Sequence, residues 1–152
     1  MLGSNSFWAT GIRIFVAGLA AYIGSAFIWM GPVGVMWAET RFRASMEKIK
    51  ESYGKENANP AVYFLVTFLS LILLAYIMDQ WILPSHYFNI RNVKTAVLFS
   101  FKLTLFTSLL QIQNYTMNYT ELKYSRYLIM AVDFLTQFIA VSVITATLTI
   151  LS

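Results

Sequence analysis

Charges in this chain fall in clusters, and four intervals between the clusters are long and apolar enough to cross a lipid bilayer. A hydrocarbon core of about 30 Å takes about 20 helical residues. The first interval runs from Ile14 to Ala38 without a charge, and the second from Ala61 to Met78. The third starts near Val93, passes through Lys102 and ends near Ile112; the fourth starts near Tyr127, carries Asp133 early and is uncharged from Phe134 to Ser152. Lipid offers the backbone no hydrogen bonds, and the chain has no alternating ten-residue segments of the barrel type, so the spans are helices. The composition agrees, at 58% hydrophobic and 12% charged where soluble domains have about 45 to 50% and about 25%.

The expected fold class is all-α: an integral membrane four-helix bundle in a single domain, residues 1–152, with helices at about 12–31, 60–82, 93–113 and 127–151. Asn59 and Pro60 supply an N-cap and a first-turn proline for the second helix. Met1 to Phe7 carries no Lys or Arg, and the apolar run after it outlasts a signal-peptide core, so the first helix is expected to be retained. With no cysteine, the chain has no prenylation or palmitoylation site.

The most polar part lies between the first two helices. There Ala38, Phe42, Met46, Ile49 and Tyr53 form an apolar stripe at helical spacing. Glu39, Arg43, Glu47 and Lys50 fall opposite it at three- and four-residue spacings. The segment at about 36–53 reads as a short amphipathic interfacial helix ended by Gly54, or as a solvated connector of the same shape.

Basic residues in short loops set orientation. If the helices alternate, Arg41, Arg43, Lys48, Lys50, Lys55, Lys123 and Arg126 share one side, against Arg13, Arg91 and Lys94 on the other. Both termini are then expected on the outer side, facing the periplasm, a lumen or the intermembrane space, in a bacterial, mitochondrial inner or other organellar membrane.

Lys102 is the sharpest single residue, since a charge near the bilayer centre costs about 2.5 to 3.5 kcal/mol on an insertion scale. Placed from helix ends at Ile112 and Tyr127, Lys102 and Asp133 differ in depth by about 6 Å, within reach of a lysine stem. The pair is expected to be a buried ion pair tying helix three to helix four, with Gln137 one turn beyond Asp133 as a hydrogen-bond neighbour. Its functional alternative is a proton or ion relay. Asp79 is the competing partner for Lys102. Ala17, Ala21 and Ser25 recur at four-residue intervals in helix one and form a face for close helix packing. Ser100, Thr104, Thr107, Ser108 and Gln111 share one side of helix three, either lining a polar groove or bonding to their own helix and its neighbour.

Catalysis finds little support. Asp79 and Asp133 belong toward opposite faces, and His86 is the only histidine, so a paired-carboxylate site, a bis-His haem and a Cys- or His-ligated metal are not expected. A net charge of +4 spread over so apolar a chain argues against nucleic acid. No cofactor is expected beyond bound lipid.

The run Trp29-Met30-Gly31-Pro32-Val33-Gly34-Val35-Met36-Trp37 resembles the W-Y-x-P…G…W pattern of the DUF1761 family of small four-helix membrane proteins. Met30 stands where that pattern has an aromatic residue. The resemblance extends to the length, the polar segment after the motif and the three later helices. It implies a fold of four membrane helices and carries no catalytic residues. Physically, Pro32 ends or kinks helix one while Trp29 and Trp37 anchor the break at the interface. With little soluble mass of its own, the chain is expected to be a non-enzymatic structural or accessory subunit of a larger membrane complex, of respiratory or photosynthetic type, with lipids and other membrane subunits as partners. The alternative is a small proton, ion or solute transporter using Lys102 and Asp133.

Overall fold

The computed structural model describes residues 7–29, 34, 46–47, 50–52, 54, 59–84, 90–117 and 126–152. Every regular element among them is helical: α1 (Phe7–Trp29), α2 (Pro60–Ile77) with a π-helical turn continuing it (Met78–Ile82), α3 (Val93–Met117) and α4 (Arg126–Leu151). Each of the four contains a stretch long and apolar enough to cross a membrane, and the chain is an all-α, multi-pass membrane protein.

Two helix ends depart from the expected bounds. α1 begins at Phe7 rather than near residue 12, because no charge or proline interrupts Phe7 to Ile12; Phe7 and Trp8 are exposed there. α3 continues past residue 113 to Met117, since Asn114, Tyr115 and Thr116 are polar without being helix breakers. At the other ends the local chemistry is plain. The Asn59 side chain accepts from the Ala61 N–H at 2.9 Å with Pro60 in the first turn. Asn92 caps α3: its Oδ1 accepts from the Thr95 N–H at 3.0 Å, while Thr95 Oγ1 accepts from the Asn92 N–H at 3.0 Å, a reciprocal box.

Of the amphipathic segment, residues 46–47 and 50–52 are described and helical, with Met46 buried and Glu47, Lys50, Glu51 and Ser52 exposed. Gly54 follows at φ 84°, its N–H donating to the Lys50 carbonyl at 3.1 Å. This is a left-handed helix cap, which glycine adopts without a Cβ penalty. The remainder of 36–53 lies outside the described residues.

The helices pack in file rather than as a closed square. α1 lies between α2 and α4, α4 lies between α1 and α3, and α2 touches α4 only lightly. The core is shared by three helices: Ile14, Ala17 and Ala21 of α1, Ala75 and Met78 at the end of α2, and Val141, Ile144 and Leu148 of α4. Between α1 and α2 the contact is a knob over a gap. Phe15 and Tyr22 both meet Phe68 edge to face, at centroid distances of 6.1 and 5.5 Å, and Ile72 sits over Gly18 between them. α3 is clamped to α4 by Phe101, whose ring meets Phe134 at 5.7 Å and Phe138 at 5.9 Å, edge-on in both cases. The outer faces of α2 and α3 are left largely exposed, with Leu65, Val66, Leu69 and Leu73 on one and Leu98, Leu105 and Leu109 on the other.

Candidate functional site

A charged contact inside the bundle joins the first two helices. Arg13 lies six residues into α1, and its Nη2 donates to Asp79 Oδ2 at 2.8 Å, with side chains 17% and 3% exposed. By sequence alone Arg13 counts as a loop charge and Asp79 as a rival partner for Lys102. A π-helical turn continues α2 there, with the Leu83 N–H donating to the Met78 carbonyl at 2.9 Å. Met78 and Asp79, three and four residues after the buried Ala75, are buried on the same helical face. Gln80 Nε2 also donates to Asp79 Oδ2, at 2.7 Å, so one carboxylate oxygen receives two hydrogen bonds. Arg13 Nε is buried with no hydrogen-bond partner among the described residues. Such a carboxylate–guanidinium pair orients and locks helices.

Lys102 and Asp133 are not brought together. Ser100 Oγ meets Thr145 Oγ1 at 3.3 Å and Thr107 Oγ1 meets Gln137 Oε1 at 3.4 Å, contacts that set the antiparallel register of α3 on α4. That register puts Asp133 level with Gln111, about 13 Å along the helix from Lys102. The expected depth match failed because α3 runs on to Met117, which shifts the register by the residues beyond Ile112. Lys102 is also on the wrong side: it lies about 200° around α3 from Ser100, and its side chain is exposed. Asp133 is half-buried on α4. Gln137 does bridge the two helices, through Thr107 and through Gln111, to whose Oε1 it donates at 3.5 Å.

The hydroxyl side of α3 is the α3–α4 joint. Ser100 and Thr104 are buried, as is Thr145 opposite them. The hydroxyl hydrogens are spent mainly on their own helices: Ser100 donates to the Ala96 carbonyl at 2.8 Å and Thr145 to Val141 at 2.7 Å. The contact between them is therefore weak, and the small size of Ala96, Ser100 and Thr104 matters more than their polarity, because it lets α4 approach. Thr104 Oγ1, Ser25 Oγ and Ser142 Oγ are buried without a partner among the described residues.

Ala17, Ala21 and Ser25 are all buried on α1. Gly24 beside them lies close to Val143 and Ile139 of α4, where a Cβ would sit at ordinary van der Waals distance. Trp29 is the last residue of α1; its side chain, and Pro32 and Trp37 altogether, lie outside the described residues. His86 lies outside them as well. Among the described residues no cluster of three His, Cys, Asp or Glu side chains has the arrangement of a metal site.

Comparison of the chain with protein-family models, curated proteins and solved structures returns no match.

Proposed function

We propose that this protein is a non-enzymatic structural or accessory subunit of a larger membrane assembly, of the kind found in respiratory or photosynthetic membranes. The observation that carries the reading is the file of helices α2, α1, α4 and α3, in which both end helices leave broad apolar flanks uncovered by the chain itself. A file encloses no lumen between its members, whereas a transporter needs a polar path held between helices. The polar groups that do meet, Ser100 with Thr145 and Thr107 with Gln137, meet directly and join helices. The relay alternative loses its geometric basis with Lys102 and Asp133 at different depths. A relation to the DUF1761 family, proposed on Trp29 to Trp37, is compatible with this role and assigns no activity.

The test is native-gel electrophoresis of mild-detergent extracts with mass spectrometry of the co-migrating chains, beside flux measurements in liposomes holding the pure protein. A large assembly that loses members when the gene is deleted, with no specific ion or proton flux, is the expected result. Specific flux from the isolated protein overturns it.

Orientation belongs to the same proposal. With Arg13 bonded inside α1 to Asp79, the outer side keeps only Arg91 and Lys94 against seven basic residues on the inner side. We place both termini outside, in a mitochondrial inner or another organellar or bacterial membrane. The chain has no cysteine, so single introduced thiols report cleanly. Ser152→Cys is expected to react with a membrane-impermeant maleimide from the outer side, and Ser52→Cys only after permeabilisation. The reverse pattern inverts the topology.

A further inference from the structure

Lys102 is the one charge at the middle of α3. It sits nine residues from Val93 and nine from Gln111, the ends of that helix's membrane-spanning stretch, or about 13 Å from either surface. A lysine stem reaches about 6 Å along a helix, less than half of the way to either surface. Its side chain is exposed, on the stripe of α3 that also carries Leu98, Leu105 and Leu109, facing away from α4. A cation facing lipid at that depth carries a cost that a paired carboxylate offsets.

Among the described residues this chain does not supply one. Asp133 is level with Gln111, about 13 Å along the helix from Lys102. Asp79 is bonded to Arg13. Gly24 of α1 packs on Val143 and Ile139 of α4, which are level with Lys102, so Arg13 and Asp79 lie about 15 Å away in depth, beside the start of α3. Glu39, Glu47, Glu51, Glu56 and Glu121 all fall outside the four spanning stretches. A second copy does not help either. Copies related by an axis along the membrane normal keep every residue at its own depth, so a neighbour's Asp79 and Asp133 would be as far from the bilayer centre as these.

We propose that the Leu98–Lys102–Leu105–Leu109 face of α3 docks a transmembrane helix of a different protein, one that carries an Asp or Glu at the middle of the bilayer and pairs it with Lys102. The proposal deepens the subunit reading and rests on it: it names the face and the chemistry of the partner. The leucines on either side give the apolar flanks a helix-on-helix contact requires, and the single charge pair sets depth and partner choice.

The experiment uses the full chain in its own membrane, with a photo-activatable phenylalanine in place of Leu98 or Leu109 and the adducts sequenced by mass spectrometry. The expected adduct is a foreign membrane helix with a carboxylate at mid-span. Lys102→Met is expected to lower its yield by about tenfold or more while Lys102→Arg preserves it. Exchanging the charges, Lys102→Glu with the partner's carboxylate replaced by lysine, is expected to restore it. Adducts to lipid alone, to a second copy, or to a helix without a mid-span carboxylate overturn the proposal, as does a yield indifferent to Lys102→Met. If the wild type still migrates in a large assembly in that case, the subunit reading stands and only this inference falls. A wild type that migrates alone removes both.

Discussion

Asp79→Ala is expected to destabilise the folded bundle by about 3 kcal/mol, the cost of breaking a buried ion pair from one side. The loss exceeds that of the contact itself. Asp79 Oδ2 is the acceptor for both Arg13 Nη2 and Gln80 Nε2, so its removal strands a guanidinium whose Nε already lacks a partner among the described residues. Arg13 lies six residues inside α1, about 9 Å from the start of the helix, and its relief is to bend toward the surface, which disturbs Ile14 and Ala17 beside it. The double replacement Arg13→Leu with Asp79→Leu removes both charges and is expected to cost much less than the sum of the two single changes. Asp79→Asn, which keeps an acceptor for Arg13, should fall between. The readout is reversible unfolding of each variant in detergent micelles, followed by circular dichroism and arranged as a double-mutant cycle. Additive losses would show that Arg13 and Asp79 are not coupled.

That pair marks where the sequence stops being readable. The four spans are legible because a bilayer leaves a chain few options: apolar length dictates a helix, and the intervals between charges dictate how many. Short-range chemistry is legible for the same reason of locality, as with Asn59 and Pro60 opening α2 or Gly54 closing the segment before it. Arg13 and Asp79 are 66 residues apart and joined through the long polar connection, so nothing local announces that α1 and α2 are neighbours. The π-helical turn has no signature in Met78-Asp79-Gln80-Trp81-Ile82. Depth arithmetic for Lys102 and Asp133 fails more instructively. It took the first polar residues after Ile112 as the end of α3, yet Gln113 to Thr116 continue the helix, and an error of about a turn and a half is enough to separate two charges that looked level. Small residues are placed by spacing alone. The spacing of Ala17, Ala21 and Ser25 selects one helical face, all three are buried on it, and neither fact depends on where the helix ends.

Of the described glycines Gly18 has the tightest surroundings, and replacing it is expected to have the second large effect. A Cβ added there would fall on Ile72 Cδ1 and lie 3.1 Å from Ile72 Cα, so alanine must push aside first a flexible tip and then backbone. The tip of Ile72 can turn away, which makes Gly18→Ala a moderate change, softened further by alanine's better helix propensity. Gly18→Leu has no such outlet. Its side chain would enter the space between Phe15 and Tyr22, where Phe68 and Ile72 already sit, and α2 would have to withdraw from α1. Overpacking of this kind costs about 1 to 3 kcal/mol, and here it strikes the main contact that holds α2 to the rest of the bundle. The compensating change is Ile72→Ala, which empties the same space from the other side. Unfolding of Gly18→Leu in micelles should therefore occur at lower denaturant than the wild type, and Gly18→Leu with Ile72→Ala should recover part of the loss. Gly11, where an added Cβ meets nothing within 4 Å, is the control: Gly11→Leu on the open side of α1 is expected to leave the unfolding midpoint close to that of the wild type. Equal losses at the two glycines would mean that α1 and α2 do not pack through Gly18, and the file of helices would have to be redrawn from its first pair.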